Sequence, residues 1–206
     1  MSVLAKVCGL VHPEDAAFAA GQGADLLGFV CHAPSPRHCQ DLSVALPHLD
    51  RAVLVQVAEA ADEILDVART HGFRRVQPYL PVAGRAAGIR RLREVGLQVL
   101  LPWPDEPDQD PVEADLYLWE PSAQATGVVG GSGQGHAMAQ PPPGPFLLAG
   151  GLDASSLEAR VGALPELARN HFRGVDAASR LEASPGTKDP AKVAAFILAA
   201  HALEGP

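Results

Sequence analysis

Residues 31–39, CHAPSPRHC, place two cysteines and two histidines on either side of a Ser-Pro-Arg segment. Cysteine and histidine are common zinc ligands, so this stretch first suggests a metal site. However, the side chains of adjacent Cys and His residues point apart, and the spacing matches no common zinc motif. We therefore expect no metal here and interpret Cys31, His32, His38 and Cys39 as loop residues.

A second candidate for chemistry is the run KVCGL, residues 6–10, where a thiol and a glycine end an apolar stretch. Lys6 and Cys8 would share one face of a strand, because strand side chains alternate. Cys8 is then either a small buried hydrophobic residue or an acid–base thiol whose pKa a nearby cation tunes. Taken alone, this strand favours the first interpretation, and Lys6 would supply the cation in the second.

Three glycine-containing segments suggest a bound phosphate. Consecutive glycines let backbone N–H groups approach a phosphate closely, and a following helix start adds partial positive charge. The first segment matches neither a Walker sequence nor G-x-G-x-x-G, so by itself it is equally typical of a surface loop. Together the three favour a phosphorylated ligand: GVVGGSGQGH (127–136, with Gly130, Gly131, Ser132 and Gly133), FLLAGGLD (146–153, with Gly150 and Gly151) and GVDAASRLEASPGTKD (174–189).

Short β-type runs alternate with helical runs along the whole chain. Such alternation predicts parallel strands joined by crossover helices. Eight units in 206 residues predict one (β/α)8 barrel domain over residues 1–206, with a doubly wound open sheet as the competing topology. The predicted strands are Val3–Cys8, Asp25–Val30, Ala52–Val57, Arg75–Gln77, Leu97–Leu101, Leu116–Trp119, Phe146–Ala149 and Gly174–Asp176.

The helical stretches follow the strands, and several open with an Asp, Ser or Pro start signal. They are Pro13–Ala20, Ala60–His71, Val82–Val95, Ser155–Leu164 and Pro190–Leu203. Residues 42–48, 106–112 and 134–139 are weaker helix candidates, and the proline-rich stretches PWPDEPDQDP and AQPPPGP are predicted to be loops. In a barrel of this kind the chemistry lies at the carboxyl ends of the strands.

Composition narrows the function classes. The formal net charge is −8 and the chain has no long basic run, so nucleic acid and anionic membranes are not expected partners. No apolar stretch reaches the ~18 residues of a membrane-spanning helix, and the first ten residues lack the features of a signal peptide. Three cysteines are too few for a disulfide framework. We expect a cytoplasmic protein with reduced thiols.

Five motifs in order closely resemble the phosphoribosylanthranilate isomerases of tryptophan biosynthesis: KVCGL, GADLLGFVCHAPSPRH, GGSG, FLLAGGLD and GVDAASRLEASPGTKD. The resemblance covers essentially the whole chain. It implies a cofactor-free (β/α)8 barrel that converts N-(5-phosphoribosyl)anthranilate into 1-(2-carboxyphenylamino)-1-deoxyribulose 5-phosphate by an Amadori rearrangement. That reaction needs an acid for the furanose oxygen and a base for the C2 proton.

The resemblance also implies roles for individual residues. The family's base is the cysteine of K-x-C-G, which falls on Cys8, so the interpretation of this residue as a buried hydrophobic one reverses. The family's S-x-R arginine, here Arg37, holds the anthranilate carboxylate, for which a planar guanidinium is well suited. Pro34 and Pro36 would stiffen the loop that presents it.

The sixth and fourth strands depart from the family pattern. The family's acid is an aspartate in an LLD run, whereas this chain reads DLYLWEPS; direct alignment places Trp119 there, and a shift of one residue places Glu120. Strand alternation favours the shift, so Glu120 is the expected acid, with a surface glutamate as the alternative. The family's V-Q-L-H-G is VQPYL here, with Gln77 kept and Tyr79 at the histidine position. Tyr79 would stack on the anthranilate ring, donate a hydrogen bond or pack in the core.

In the eighth unit, Asp176 and Ser179 follow the pattern and Arg180 replaces a glycine. Asp176 is expected to support the anthranilate or sugar end or to cap the following turn. Arg180 is expected to add a cation to the phosphate site, or to be a solvated surface residue.

Two function classes remain open. The first is the isomerase, acting as a monomer or a homodimer on a small-molecule substrate. The second is a degenerate homologue that binds a phosphosugar without turning it over, because two strand ends lack the family's aspartate and histidine. A different phosphosugar isomerase or synthase on the same barrel is a third possibility, since a fold alone fixes no chemistry.

Overall fold

Eight parallel strands, joined edge to edge, form the centre of the computed structural model, which describes residues 3–103, 112–120 and 140–203. Each strand pairs with the next along the chain, and the last pairs with the first, so the barrel is closed. This confirms the (β/α)8 barrel and excludes the open sheet. The strands are β1 (Leu4–Cys8), β2 (Leu26–Cys31), β3 (Ala52–Val57), β4 (Arg75–Tyr79), β5 (Gln98–Trp103), β6 (Leu116–Trp119), β7 (Phe146–Leu148) and β8 (Phe172–Ala177).

Helices follow the strands and cover the outside of the barrel. In the described residues they are α1 (Pro13–Gly21), α2 (Ala61–His71), α3 (Arg85–Glu94), α4 (Leu157–Gly162), α5 (Glu166–Arg169) and α6 (Pro190–Ala202). Short 3-10 helices form at Leu42–His48 and Ser179–Leu181, and a small hairpin of β9 (Glu182–Ser184) and β10 (Thr187–Lys188) follows β8. None of the helices described is long and apolar enough to cross a membrane.

Local sequence signals set the ends of the two longest helices. The Glu63 carboxylate accepts a hydrogen bond from the Ala60 backbone N–H at 3.0 Å, which satisfies a free donor at the start of α2. The helix ends at Gly72, whose φ of +79° is the left-handed conformation that glycine adopts without strain. Asp189 caps α6 by accepting from two first-turn N–H groups, and Pro190 occupies the first helical position.

Alternating side chains divide the core into two layers. Residues facing outward pack with the helices in the larger cluster, and residues facing inward fill the barrel. The inner cluster consists of Cys8, Leu26, Val53, Val55, Leu100, Leu118, Leu147 and Ala149. Apolar side chains therefore fill much of the barrel interior, and the buried Lys6 shares the inward face of β1 with Cys8.

The eight predicted strands are all present, with ends that differ by at most two residues. One correction concerns β4 and β5, which continue through Pro78 and Pro102 beyond their predicted ends at Gln77 and Leu101; the stretch that begins at Pro102 was expected to be a loop. Beyond Val76↔Val99 these two strands no longer pair with each other, while Pro78 remains in register with β3. A proline can lie in a strand where its missing N–H faces an unpaired side.

The weaker predictions had mixed outcomes. The helix expected at 42–48 is a 3-10 helix, and the predicted Ser155–Leu164 helix is shortened to α4, with the unpredicted α5 after it. The expected helix at 134–139 lies outside the described residues, as do 106–111 of the one at 106–112. The hairpin of β9 and β10 was not predicted.

Gly174 lies at the tightest point between β8 and β1. A Cβ built at this position would overlap the backbone carbonyl oxygen of Leu4 and would lie 2.9 Å from Leu147 Cδ2. Because one neighbour is backbone, it cannot move aside without shifting a barrel strand. Gly174 therefore permits the closure of the barrel.

Gly174→Ala should destabilise the protein by roughly 1–3 kcal/mol, because the added methyl group overpacks a closed strand pair. The measurement is the free energy of unfolding from urea denaturation. Gly21→Ala is the control, since a Cβ there meets no atom within 4 Å. Equal stability of the two variants would contradict this account of the barrel closure.

Candidate active site

Cys8 ends β1, and its thiol lies against β2. Its register partner is Gly28, and a Cβ added at Gly28 would lie 2.7 Å from Cys8 Sγ and 3.1 Å from Cys8 Cα. The thiol therefore occupies space that only a glycine leaves. Sequence reasoning missed Gly28, although a glycine inside the apolar run LLGFV is a signal of close approach.

Lys6 lies two residues below Cys8 and has no exposed surface. Its Nζ is 2.6 Å from Asp176 Oδ1, across the pairing of β1 with β8. Burial alone would lower the pKa of Lys6, but the charge of Asp176 and the neighbouring Cys8 raise it, so the ammonium stays protonated. Asp176 pairs with Lys6 and does not cap the next turn, which has no side-chain cap.

The net effect of these neighbours is to keep the Cys8 pKa above its ordinary value. Burial is the largest influence and disfavours the thiolate, and the Asp176 charge acts in the same direction. Lys6 and Lys188 oppose this increase by stabilising the thiolate. Cys8 is therefore a thiol whose ionisation depends on two buried cations.

Glu120 follows β6 at the mouth of the barrel. Leu116 and Leu118 pack with the inner cluster, whereas Trp119 packs outward at 5.2 Å from the Phe146 ring. Trp119 therefore does not face the barrel interior. The Glu120 side chain is exposed at the mouth, yet desolvation by nearby protein atoms raises its pKa, Asp176 raises it further and Lys6 lowers it.

Gln77 and Tyr79 lie on one face of β4 and contact each other. Gln77 Nε2 donates to the Tyr79 hydroxyl at 2.9 Å, and Gln77 Oε1 is buried without a partner among the described residues. Burial raises the pKa of Tyr79 well above its usual range, and the charges of Glu120 and Cys8 raise it further. The Tyr79 phenol therefore stays neutral, and it lies within electrostatic range of both Glu120 and Cys8.

Arg37 is held by an acidic residue from the far end of the chain. Its Nε and Nη2 donate to the two carboxylate oxygens of Glu182 at 2.6 and 2.9 Å. Its backbone N–H donates to Ser35 Oγ at 3.1 Å, and Gly9 lies under the side chain, where a Cβ would meet Arg37 Cδ at 2.6 Å. The Gly after Cys8 thus makes room for Arg37.

Lys188 contacts Glu182, the carboxylate that pairs with Arg37, and its charge also acts on the Cys8 thiol. Its Nζ contacts Glu182 Oε1 at 3.2 Å and donates to the Ala178 carbonyl at 3.1 Å, and its charge lowers the Cys8 pKa. Neither Glu182 nor Lys188 was singled out from sequence. Both lie in a turn-rich segment where charged residues are normally solvated, so no local pattern marks them as buried.

The expected phosphate residues lie in part at the mouth. Gly150 and Gly151 follow β7 with φ of +90° and +65°, and Ser179 and Arg180 are exposed after β8. These two strands are neighbours in the barrel. The other four expected phosphate residues, Gly130, Gly131, Ser132 and Gly133, lie outside the described residues.

The four residues flanking Arg37, namely Cys31, His32, His38 and Cys39, were expected to be loop residues. That expectation is only partly correct. Cys31 ends β2, His38 forms a bridge with Val30, and Cys39 is buried with its thiol 3.3 Å from the Asp41 carbonyl. Within residues 3–103, 112–120 and 140–203, no three His, Cys, Asp or Glu side chains come together in a way that could hold a metal ion.

Lys188→Met should raise the pKa of Cys8 by on the order of one unit, because it keeps the aliphatic stem and removes a cation that stabilises the thiolate. The measurement is the pH dependence of Cys8 alkylation by iodoacetamide. Mass spectrometry of the peptides separates Cys8 from Cys31 and Cys39.

Lys192→Met is the matched control, because Lys192 contacts the Glu182 backbone carbonyl but is not among the charges that act on Cys8. A Cys8 pKa that is unchanged in Lys188→Met, or shifted equally in both variants, would contradict the electrostatic link.

Comparison with known proteins identifies the family. No family model matches the chain. The chain is 32% identical to the N-(5'-phosphoribosyl)anthranilate isomerase of Nitrobacter winogradskyi over 99% of its own length and 95% of the relative. Among solved structures, TrpF from Jonesia denitrificans is 28% identical with a TM-score of 0.77, and 97% of each chain is covered.

A further solved structure is a phosphoribosyl anthranilate isomerase in complex with reduced 1-(o-carboxyphenylamino)-1-deoxyribulose 5-phosphate. It is 23% identical with a TM-score of 0.69, covering 98% of this chain and all of that one, and this likeness concerns the fold. On the full-length similarity to the curated relatives, the chain belongs to the N-(5'-phosphoribosyl)anthranilate isomerase family of tryptophan biosynthesis.

Proposed function

We propose that the protein converts N-(5-phosphoribosyl)anthranilate into 1-(2-carboxyphenylamino)-1-deoxyribulose 5-phosphate, with Cys8 as general base and Glu120 as general acid. One observation supports this most directly. Cys8 ends β1 and Glu120 directly follows β6, so in a closed barrel of parallel strands both lie at the carboxyl-end mouth, where the charges of Lys6 and Asp176 act on both groups. The raised pKa of Glu120 suits a group that must hold a proton.

In the proposed reaction, Glu120 donates a proton to the furanose ring oxygen as the C1–O bond breaks and an imine forms at C1. The Cys8 thiolate then removes the proton from C2, which gives an enolamine. Tautomerisation of the enolamine places a proton on C1 and leaves a ketone at C2. Each step is a proton transfer, so the chemistry needs no cofactor and no metal.

The two ends of the substrate are assigned to opposite sides of the mouth. Arg37 binds the anthranilate carboxylate, with Gln77 and Tyr79 against the same half of the substrate. The buried and unpartnered Gln77 Oε1 would accept a hydrogen bond from the anilino N–H or a sugar hydroxyl. Asp176 acts on the sugar end through its pair with Lys6.

The phosphate is assigned to the ends of β7 and β8. Gly150 and Gly151 permit close backbone approach, Ser179 begins the short 3-10 helix, and Arg180 adds a cation. Gly130, Gly131, Ser132 and Gly133, which lie outside the described residues, are assigned to the phosphate on the family resemblance alone.

The proposed roles require an unusual combination of protonation states. The active form has a thiolate and a protonated carboxyl, although a carboxyl normally loses its proton first. At pH values between the pKa of Glu120 and the pKa of Cys8, this form is a constant minor fraction of the protein. In that range kcat/KM should therefore not change with pH. Raising the Glu120 pKa enlarges the fraction, and raising the Cys8 pKa reduces it.

The remaining features follow the family. We propose one barrel domain over residues 1–206, a monomer or homodimer, and no nucleic-acid or membrane partner. As an enzyme of amino-acid biosynthesis, it is assigned to the cytoplasm.

Wild-type protein should consume phosphoribosylanthranilate, which is measured as the loss of the substrate's fluorescence. Cys8→Ser should reduce turnover by ~100-fold or more. A serine hydroxyl is a much weaker base than a thiolate, so chemistry is lost while binding is kept. Cys31→Ser is the control and should keep wild-type turnover. Tight binding of the reduced product by a wild-type protein without turnover would instead support a phosphosugar-binding protein.

Glu120→Gln should reduce turnover by ~100-fold or more and change the shape of the pH profile. Without an acid of its own, the variant requires only the thiolate, so its kcat/KM should rise with pH up to the Cys8 pKa. The wild type should instead be level over this range. Unchanged turnover in Glu120→Gln, or the same profile in both proteins, would reject Glu120 as the acid.

A further inference from the structure

The pairing of Arg37 with Glu182 raises a question about substrate binding. A guanidinium carries five N–H donors, and the side-on pair with Glu182 uses the Nε donor and one Nη2 donor. Among the described residues, two donors on Nη1 and one on Nη2 have no partner, and one donor from each of these nitrogens faces the end edge of the guanidinium. That edge has the same spacing as the side edge and can hold a second carboxylate by two parallel hydrogen bonds.

Three contacts fix the orientation of this free edge. The Arg37 stem lies over Gly9, its backbone N–H is held by Ser35, and its side edge is held by Glu182. The Glu182 side chain is 5% exposed, whereas that of Arg37 is 25% exposed. The ion pair is therefore closed on the acidic side and partly open on the basic side.

The charges also leave a surplus for an anion. Glu182 is shared between Arg37 and Lys188, so this cluster holds two cations and one anion. Burial alone would raise the pKa of Glu182, but the hydrogen bonds from Arg37 and the charge of Lys188 lower it, so Glu182 is ionised at neutral pH. The cluster retains one positive charge beside the thiol.

The hairpin that carries Glu182 also supports the arginine loop. Gly186, in the turn between β9 and β10, has a φ of +84°, and a Cβ there would lie 2.7 Å from the Pro36 carbonyl oxygen. The loop before Arg37 and the turn after Glu182 therefore pack directly against each other. A shift of the hairpin would move the guanidinium.

We propose that Glu182 is a positioning residue, which orients Arg37 so that its Nη1–Nη2 edge receives the carboxylate of the substrate. The proposal rests on the function proposed above, in which Arg37 binds that carboxylate. Recognition of the carboxylate on the anthranilate ring then depends on Glu182, a residue that does not itself contact the substrate.

The test is Glu182→Gln, which keeps the shape of the side chain. One carboxylate oxygen becomes an NH2 group, which cannot accept from Arg37, so the guanidinium loses its fixed orientation. KM for phosphoribosylanthranilate should rise about 10- to 100-fold, and kcat should change less than about threefold. Glu182→Asp, which retains the charge on a shorter stem, should recover part of the loss.

A second measurement separates positioning from general damage to the site. We would measure the Kd of the reduced product and of the same compound without its carboxylate. In Glu182→Gln the Kd should rise for the first compound only, and Arg37→Ala/Glu182→Gln should bind no more weakly than Arg37→Ala. Asp25→Asn is the control, because Asp25 is a partly buried carboxylate that contacts the Ala5 backbone N–H and the His201 ring at the opposite end of the barrel.

Each other outcome has a definite meaning. Unchanged KM and Kd in Glu182→Gln, or equal weakening for both compounds, would overturn the positioning role. A loss confined to kcat would also overturn it and would indicate that Glu182 acts on the thiol through Lys188. If wild type and Arg37→Ala bind the two compounds alike, the assignment of the carboxylate to Arg37 fails. If Glu182→Gln does not fold, Glu182→Asp is compared with Arg37→Ala: a partial loss of affinity in Glu182→Asp that is confined to the compound with the carboxylate supports the positioning role, and wild-type affinity in Glu182→Asp overturns it.

Discussion

The ion pair between Lys6 and Asp176 is the interaction on which the mouth of the barrel depends. The two residues are register partners across β1 and β8, the contact that closes the barrel. Lys6 is fully buried, and the two charged atoms are 2.6 Å apart. Removal of either partner would leave a buried charge unpaired, which typically costs roughly 3–5 kcal/mol. The strand pair that closes the barrel therefore also holds the positive charge of Lys6, two residues before the Cys8 thiol on the same strand.

The same pair acts in opposite directions on the two groups assigned to catalysis. Lys6 stabilises the Cys8 thiolate, whereas Asp176 favours the protonated form of Glu120. Desolvation raises the pKa of both Cys8 and Glu120, so it assists the acid and opposes the base. Lys188 supplies a second cation on the side of Cys8. The thiol therefore needs more electrostatic support than the carboxyl, and the barrel provides two buried lysines for it.

Sequence patterns predicted what depends on local periodicity. All eight strands follow from apolar runs, and the alternation in β6 correctly placed Leu118 inward and Trp119 outward. The pairing of Arg37 with Glu182 could not be predicted in this way, because it joins residues far apart in the chain. Glu182 lies 145 positions from Arg37, and no spacing rule links two such residues. Pro102 was assigned to a loop although it lies in β5, because whether a strand tolerates proline depends on which neighbour it pairs with.

The overall charge of the chain, −8, would repel a substrate that carries a carboxylate and a phosphate. Binding must therefore depend on local surpluses of positive charge. At the carboxylate end, one buried anion, Glu182, lies between two cations with different environments: Arg37 is partly open to solvent, whereas Lys188 is almost completely buried. In the proposed assignment, an incoming carboxylate would bind the open cation, Arg37, and neutralise its charge. The buried cation keeps its contact with Glu182 and continues to stabilise the thiolate, so the substrate does not cancel the charge on which the proposed base depends.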